Sequence, residues 1–360
     1  MKKILIAASN HWTSPSQVGT HSIARALVKL GWQVMFVSEP ITPFHFLKRD
    51  NAILKQRHEI YKSGGISCCD GKLFAYVPFS LAAPQSYPFL RSDFVHQNWQ
   101  RFTRPNVAKF IRNKGFGEVD ILYFDNSIQS FWLKEIKHNK SVFRFADNYS
   151  GYKKFTSGTE KLERTLAENV DAVLYTAENL RVYLDKYKIK NKIFFPNGVD
   201  FFHFNKPAPK PDEYNSFSRP IAVYAGEMEV RFDFELIEFA ARSLPDFEFV
   251  LIGNESFAKR KINSLPNIHF LGGKNYDDLP GYFQHADVGM IPFNVKKHGE
   301  LIKYVNPLKM YQYFSAGIPT VTSKWETVAE LNPPAYFYDA KDDFVKQLQA
   351  AVQNKQINIF

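Results

Sequence analysis

Short apolar runs alternate with helix-length amphipathic stretches along this chain, and the alternation starts twice. ILIAAS (4–9) reads as a strand and a polar loop runs to Gly19. THSIARALVKLG then reads as a helix, with Ile23, Leu27 and Leu30 on one face and a stop at Gly31. WQVMFVSE (32–39) is the next strand, and others are expected at 120–125, 141–146, 171–176 and 192–195. The stretch 205–220, NKPAPKPDEYNSFSRP, has four prolines and no periodicity, so it reads as a linker. The pattern then restarts with IAVYAG (221–226), a helix over about 233–243, FEFVLIG (247–253), NIHFLGG (267–273), a helix near 277–285 and VGMIPF (288–293). Alternation of this kind implies an α/β chain, and 360 residues is long for one core. The expected organisation is a first domain over 1–204, a linker over 205–220, a second domain over 221–345 and a C-terminal helix or tail over 346–360.

Composition excludes several classes. The chain is 45% hydrophobic and 16% aromatic, with 34 Phe, which is globular rather than disordered. No apolar run approaches the ~18 residues of a membrane span. The opening MKKILIAASNHW is too short in its apolar part for a secretory leader, and Asn10 and His11 interrupt it at once. The only two cysteines, Cys68 and Cys69, are adjacent, a spacing that suits neither a disulfide nor a metal site, so a reducing cytoplasm is expected. The net charge of +10 fits an anionic lipid surface, an acidic substrate or an ordinary solvated surface. No nucleic-acid-binding motif accompanies it.

One segment carries most of the chemistry. KYVNPLKMYQYFSAGIPTV (303–321) places Asn306 as the expected N-cap of a helix, Pro307 at its first position, Lys309 in its first turn, and Gly317 and Pro319 at its end. A helix start attracts anions through its free N–H groups, and a lysine beside it adds a full charge suited to a diphosphate. An ordinary amphipathic helix is the competing reading. The first βαβ unit lacks G-x-G-x-x-G, which argues against NAD.

FFPNGVDFFHF (194–204), YAGEMEVRFDFELIEFAARSLPDFEFVLIG (224–253), NIHFLGGKNYDDLPGYFQHADVGMIPF (267–293) and NPLKMYQYFSAGIPTV (306–321) together resemble the GT-B glycosyltransferases. Those enzymes are built from two facing Rossmann-like domains with a cleft between them. In the first half, FRFADNYSGY (143–152) and DAVLYTAENL (171–180) resemble the bacterial xanthan-type glucuronosyltransferases and the teichuronic-acid and exopolysaccharide transferases. Many retaining members carry two glutamates separated by seven residues in the donor segment. Here those positions are Tyr304 and Gln312, which favours the inverting, glucuronosyltransferase-like branch.

The resemblance implies roles. Asp147, closing the strand SVFRFA, is the expected catalytic base, against the alternative of a turn cap. Lys309 is expected on the donor diphosphate without a metal, and Gln312 on the nucleotide ribose with Tyr313 packed behind it. Glu227 and Met228 are expected near the sugar or phosphates. From the residues alone, Arg231 reads either as a partner for a sugar carboxylate or as a surface residue, and Asn254 and Tyr276 either as base-binding groups or, the stronger reading, as ordinary loop residues. His21 and Asn10 are expected to orient acceptor or phosphate, with a satisfied structural role competing for His21. No cofactor and no metal are expected, because the nucleotide-sugar, UDP-linked, is a substrate.

The stretch from Pro78 to Gly115 mixes Phe79, Tyr87, Phe89, Phe94, Trp99 and Phe102 with Arg91, Arg101, Arg104, Lys109 and Arg112. It reads as a basic amphipathic helix suited to an anionic membrane, or as a helix whose aromatics pack inward. The function expected is transfer of a sugar, with UDP-glucuronate the preferred donor, to a lipid-linked saccharide at the inner face of the plasma membrane. A sugar-nucleotide epimerase of the same fold and a non-catalytic nucleotide-sugar-binding protein are the alternatives.

Overall fold

In the computed structural model of the chain, the described residues are 1–47, 52–85, 87–148 and 156–354. They form two compact units, Met1–Pro196 and Asn197–Phe360. Each is an α/β unit around a parallel sheet.

The first unit holds eight strands: β1 (Lys3–Ala7), β2 (Gln33–Val37), β3 (Ile66–Cys68), β4 (Leu73–Tyr76), β5 (Glu118–Phe124), β6 (Lys137–Phe145), β7 (Ala172–Tyr175) and β8 (Lys192–Phe194). They lie in the order β3-β4-β2-β1-β5-β6-β7-β8, and only the β3–β4 pairing is antiparallel. The strand order reverses direction at β1, so the carboxyl ends of β1 and β5 flank a topological switch point, where ligands bind in open α/β sheets. Ile4, Ile6, Val34, Phe36 and Leu73 fill the core against the helix Gly19–Lys29. β1 and β2 are buried almost end to end, as strands covered on both faces must be.

The second unit holds β9 (Ile221–Ala225), β10 (Glu248–Ile252), β11 (Ile268–Phe270), β12 (Val288–Ile291), β13 (Thr320–Ser323) and β14 (Tyr336–Tyr338). The order is β11-β10-β9-β12-β13-β14, all parallel. One face is covered by Phe234–Ser243 and Lys341–Gln353, through Leu236, Ile237, Phe344 and Leu348. The other is covered by Phe201–Asn205, Leu279–Gln284 and Leu308–Ser315, through Phe204, Phe283 and Tyr313.

Three sequence expectations change. The division falls at Pro196, before the expected boundary at 204, because Phe204 is fully buried against Tyr276 and Phe283 of the second unit. The stretch 205–220 is not a free linker. Tyr214 is fully buried in it, and Glu213 accepts from Lys274 at 2.6 Å. The tail expected over 346–360 begins earlier, as part of the helix Lys341–Gln353, and its Leu348 and Ala351 belong to the second core. Residues 355–360 of that expected tail, and 149–152 of FRFADNYSGY, lie outside the described residues.

Among the described residues no helix is long and apolar enough to cross a membrane. The single amphipathic helix expected between Pro78 and Gly115 does not form. Short segments replace it: Pro88–Arg91, Asp93–Asn98, Trp99–Phe102 and Val107–Ile111. Its aromatics divide accordingly. Trp99 is fully buried and donates to the Ile128 carbonyl at 2.7 Å, whereas Phe89 and Phe94 are 59% and 62% exposed.

Candidate functional site

In the second unit three of the six strands run out into glycines. Gly226 follows β9 with φ +150°, Gly253 follows β10 with φ +147°, and Gly272 follows β11 with φ +67°. Side chains are excluded here by backbone conformation and by space, since a Cβ on Gly253 would lie 2.1 Å from the Gly226 carbonyl oxygen. The result is a bare backbone edge at the carboxyl end of the sheet. Lys309 reaches it, with its Nζ 3.2 Å from the place a Gly226 Cβ would take.

Lys309 stands in the first turn of Leu308–Ser315. Asn306 was the expected cap, but the capping position is Pro307, which lacks an N–H and offers no side-chain bond, so Asn306 lies one residue outside. The loop ahead of the helix is stapled from elsewhere. Trp325 donates to the Val305 carbonyl at 2.8 Å, Thr327 to that of Lys303 at 2.5 Å, and Asn197 to that of Asn306 at 2.7 Å. Tyr313 anchors the other side. Its hydroxyl accepts from the Ala225 N–H at 3.2 Å, and its ring occupies the space a Gly289 side chain would need. The helix start is thereby fixed relative to the strand ends, and its first N–H groups have no partner within the helix.

The ammonium of Lys309 sits over the Tyr224 ring at 5.0 Å and the Phe293 ring at 5.3 Å. Arg231 shares Phe293, at 5.8 Å. Burial, and then the Arg231 charge, bring the Lys309 pKa down from 10.5 to about 7, with Glu227 partly offsetting them. The residue as a whole is half-buried, and desolvation is the largest cause of the shift. Two cations on one aromatic ring, facing an exposed Glu227, form a site whose charge an anion would complete. Gln312 is half-buried on the same helix, and its side chain has no partner among the described residues.

Two expected donor residues are placed differently. Met228 is fully buried in the core, where only its backbone can face a ligand. Tyr276 is buried, stacked on His203 with centroids 4.3 Å apart and planes 8° apart, so that face of its ring is covered. Asn254 caps the short helix Glu255–Ala258 through the Ser256 N–H.

In the first unit Asp147 lies two residues beyond β6, buried, with its Oδ1 accepting from the Asn148 N–H at 2.8 Å. Thr176 fixes the preceding carbonyl, donating to Ala146 at 3.1 Å. Three residues upstream, Arg144 pairs with Asp125 at 3.4 Å, both nearly fully buried, which ties the end of β6 to the end of β5. Gln129 ties in β1 and β2 by donating to the Ala8 and Val37 carbonyls. The carboxyl ends of four strands are therefore braced from behind.

His21 does not reach a ligand from this rim. It is fully buried, its Nδ1 accepts from the Val18 N–H at 3.3 Å, and its Nε2 donates to the His11 carbonyl at 3.0 Å. Burial lowers the pKa of both His11 and His21 from 6.5 to about 4. His21 thus shapes the loop after β1, which is the structural alternative of the sequence reading. Asn10 shapes it too, donating to the Ser16 carbonyl at 3.2 Å.

The residues that sequence reasoning missed are the strand-end glycines, Tyr224, Phe293 and the Asp125–Arg144 brace. IAVYAG, FEFVLIG and NIHFLGG do each end on glycine, so a signal for the bare edge was present. Among the described residues no cluster of three or more His, Cys, Asp or Glu side chains is arranged to hold a metal ion.

Residues 6–176 match the sequence family described as glucuronosyltransferase GumK, N-terminal domain, and residues 219–354 match glycosyl transferases group 1. A putative teichuronic acid biosynthesis glycosyltransferase, TuaH of Bacillus subtilis (strain 168), is 24% identical over 186 residues, covering 49% of this chain and 46% of that protein. The match thus spans about half the length of that relative. Among solved structures, sucrose-phosphate synthase from Thermosynechococcus elongatus superposes with a TM-score of 0.68 at 13% identity, covering 100% of this chain and 92% of that one. HepE of Anabaena, in complex with UDP and glucose, superposes with a TM-score of 0.64 at 12% identity, with the same coverage of each chain. Those likenesses show the fold.

Proposed function

We propose that this chain, which belongs to the GT-B glycosyltransferases by sequence match and by fold, transfers a sugar from a UDP-sugar to a hydroxyl of a lipid-linked saccharide, with inversion. The observation that carries the reading is Lys309. A cation held over two aromatic rings, beside a side-chain-free strand edge and at a helix start, suits a diphosphate. Asp147 takes the proton of the acceptor hydroxyl as that oxygen attacks the anomeric carbon. The bond from that carbon to the diphosphate oxygen breaks, and the electron pair leaves on the nucleotide. Lys309 and the first N–H groups of Leu308–Ser315 stabilise the growing charge, a task assigned here to them rather than to a divalent cation.

Glucuronate is the donor sugar proposed, because Arg231 shares the Phe293 ring with Lys309 and adds a second positive charge. Gln312 serves the ribose. Peripheral contact with an anionic membrane is proposed for the exposed Phe89 and Phe94 with the exposed Arg91 and Arg104. The HepE complex with UDP and glucose supports the class of donor.

The test is a panel of UDP-, GDP- and dTDP-sugars incubated with the purified protein and a membrane lipid extract, with and without EDTA. UDP release that needs the extract and survives EDTA supports the reading. Release that EDTA abolishes, or that needs no extract, contradicts it.

A further inference from the structure

The first unit contains a second concavity, away from the strand ends. A cavity of about 740 Å³ runs along the helix Ser157–Asn169, within the size range of ligand sites. The segments Asp93–Asn98 and Trp99–Phe102 form the facing wall. His138, at the start of β6, lies in it. Along β6, at ~3.3 Å per residue, His138 is roughly 30 Å from Asp147.

Two features distinguish this groove from a packing gap. The first is its histidines. His96 holds Nδ1 against the Ser92 carbonyl at 3.0 Å, and His138 holds Nδ1 against the Ile136 carbonyl at 2.8 Å. A carbonyl oxygen only accepts, so each Nδ1 carries the proton and each Nε2 is left as an acceptor. Neither Nε2 has a partner among the described residues. The second is charge. The two acids of the groove are already engaged, Asp93 with Lys161 at 2.6 Å and Glu135 with Arg112. Arg101 and Lys134 line the same groove, exposed, with no ion pair among the described residues. Ile128 and Leu133, both part-exposed, add apolar patches between these groups.

Preset acceptors, unneutralised cations and apolar patches together fit a ligand with many hydroxyl donors, carboxylates and apolar ring faces. We propose that this groove binds a segment of an acidic oligosaccharide at a site separate from the transfer chemistry. The class of ligand rests on the reading of the chain as a saccharide transferase. A saccharide chain anchored there is kept at high effective concentration near the enzyme between transfers, which lowers the apparent KM for long acceptors.

The experiment is calorimetric titration of the full chain with hexagalacturonate, with maltohexaose as the neutral control, and UDP titrated separately. Two variants are compared with wild type. Arg101→Ser/Lys134→Ser removes two exposed charges, and Thr165→Trp fills the groove from the helix wall. Expected are binding of hexagalacturonate that weakens about tenfold or more in each variant, much weaker binding of maltohexaose, and UDP affinity unchanged. The proposal is overturned if wild type does not bind hexagalacturonate, or if both variants bind it as wild type does. It is also overturned if the charge variant loses only phosphatidylglycerol vesicles, which would make these cations a lipid-facing patch. UDP binding reports on the donor reading by itself, so either idea can fail alone.

Discussion

Replacing Lys309 by methionine separates function from stability in opposite directions. Moving a lysine from 10.5 to about 7 corresponds to about 5 kcal/mol if the whole shift counts against folding, and solvent screening at a residue that is only half-buried reduces this to roughly 2–3 kcal/mol. The folded pKa is depressed. Below about pH 7 the folded protein therefore carries the full penalty of a buried charge, and stability rises with pH between about 7 and 10.5 as that charge is lost. Methionine fills the space over Tyr224 and Phe293 without the charge. Lys309→Met is therefore expected to raise stability by about 1–3 kcal/mol at pH 7 while weakening UDP binding by about 30- to 1,000-fold. A diphosphate also pulls the lysine back to its charged form, so wild type should take up a fraction of a proton on binding UDP near pH 7. Affinity should fall about tenfold per unit above that pH. The assay is calorimetric titration of UDP in two buffers of different ionisation enthalpy, beside thermal unfolding of both proteins. A variant that is less stable and binds UDP as wild type does, with the same proton uptake, refutes the argument.

Four further outcomes are expected. Asp147→Asn should lower kcat by about 10²- to 10⁴-fold with UDP affinity unchanged, measured by steady-state transfer and UDP titration. Gly253→Ala forces a Cβ to 2.1 Å from the Gly226 carbonyl oxygen at a positive φ, so a loss of at least about 2 kcal/mol is expected in denaturant unfolding. His11 and His21 have folded pKa values of about 4 against 6.5 unfolded, so their neutral forms stabilise the fold above pH 6.5. That contribution should drain as pH falls from 6.5 to 4, visible as proton uptake on unfolding and smaller in His21→Asn. Phe89→Ser/Phe94→Ser should reduce co-sedimentation with phosphatidylglycerol vesicles while thermal stability stays within about 0.5 kcal/mol, since both side chains are largely exposed.

What was legible in the sequence follows from where the burial lies. β9 is apolar throughout and β10 is apolar after Glu248, because a parallel sheet covered on both faces demands it, and both were read directly. β13 was missed because TVTS looks polar, yet Thr320 and Thr322 are fully buried. The β3–β4 hairpin was missed because β3 has only three residues, ISC, with one exposed. The stretch 205–220 has the composition of a linker, and the few residues that tie it down, Glu213, Tyr214 and Phe217, carry no periodic pattern. At the site, Lys309 and its helix were legible through local capping chemistry, to within one residue. The burial of Met228 and the closure of both His21 nitrogens depend on contacts that no local pattern encodes. The strand-end glycines were visible as residues, but their meaning required seeing Gly226 and Gly253 side by side.

The most direct test of the central claim is transfer itself. The purified protein, radiolabelled UDP-glucuronate and a bacterial membrane lipid extract are incubated, and label entering the lipid-linked saccharide is counted for wild type and Asp147→Asn. The account predicts label in the lipid fraction with wild type, in an anomeric configuration opposite to that of the donor, and at least about a hundredfold less with the variant. Label at equal rates with both proteins, or label that retains the donor configuration, contradicts it.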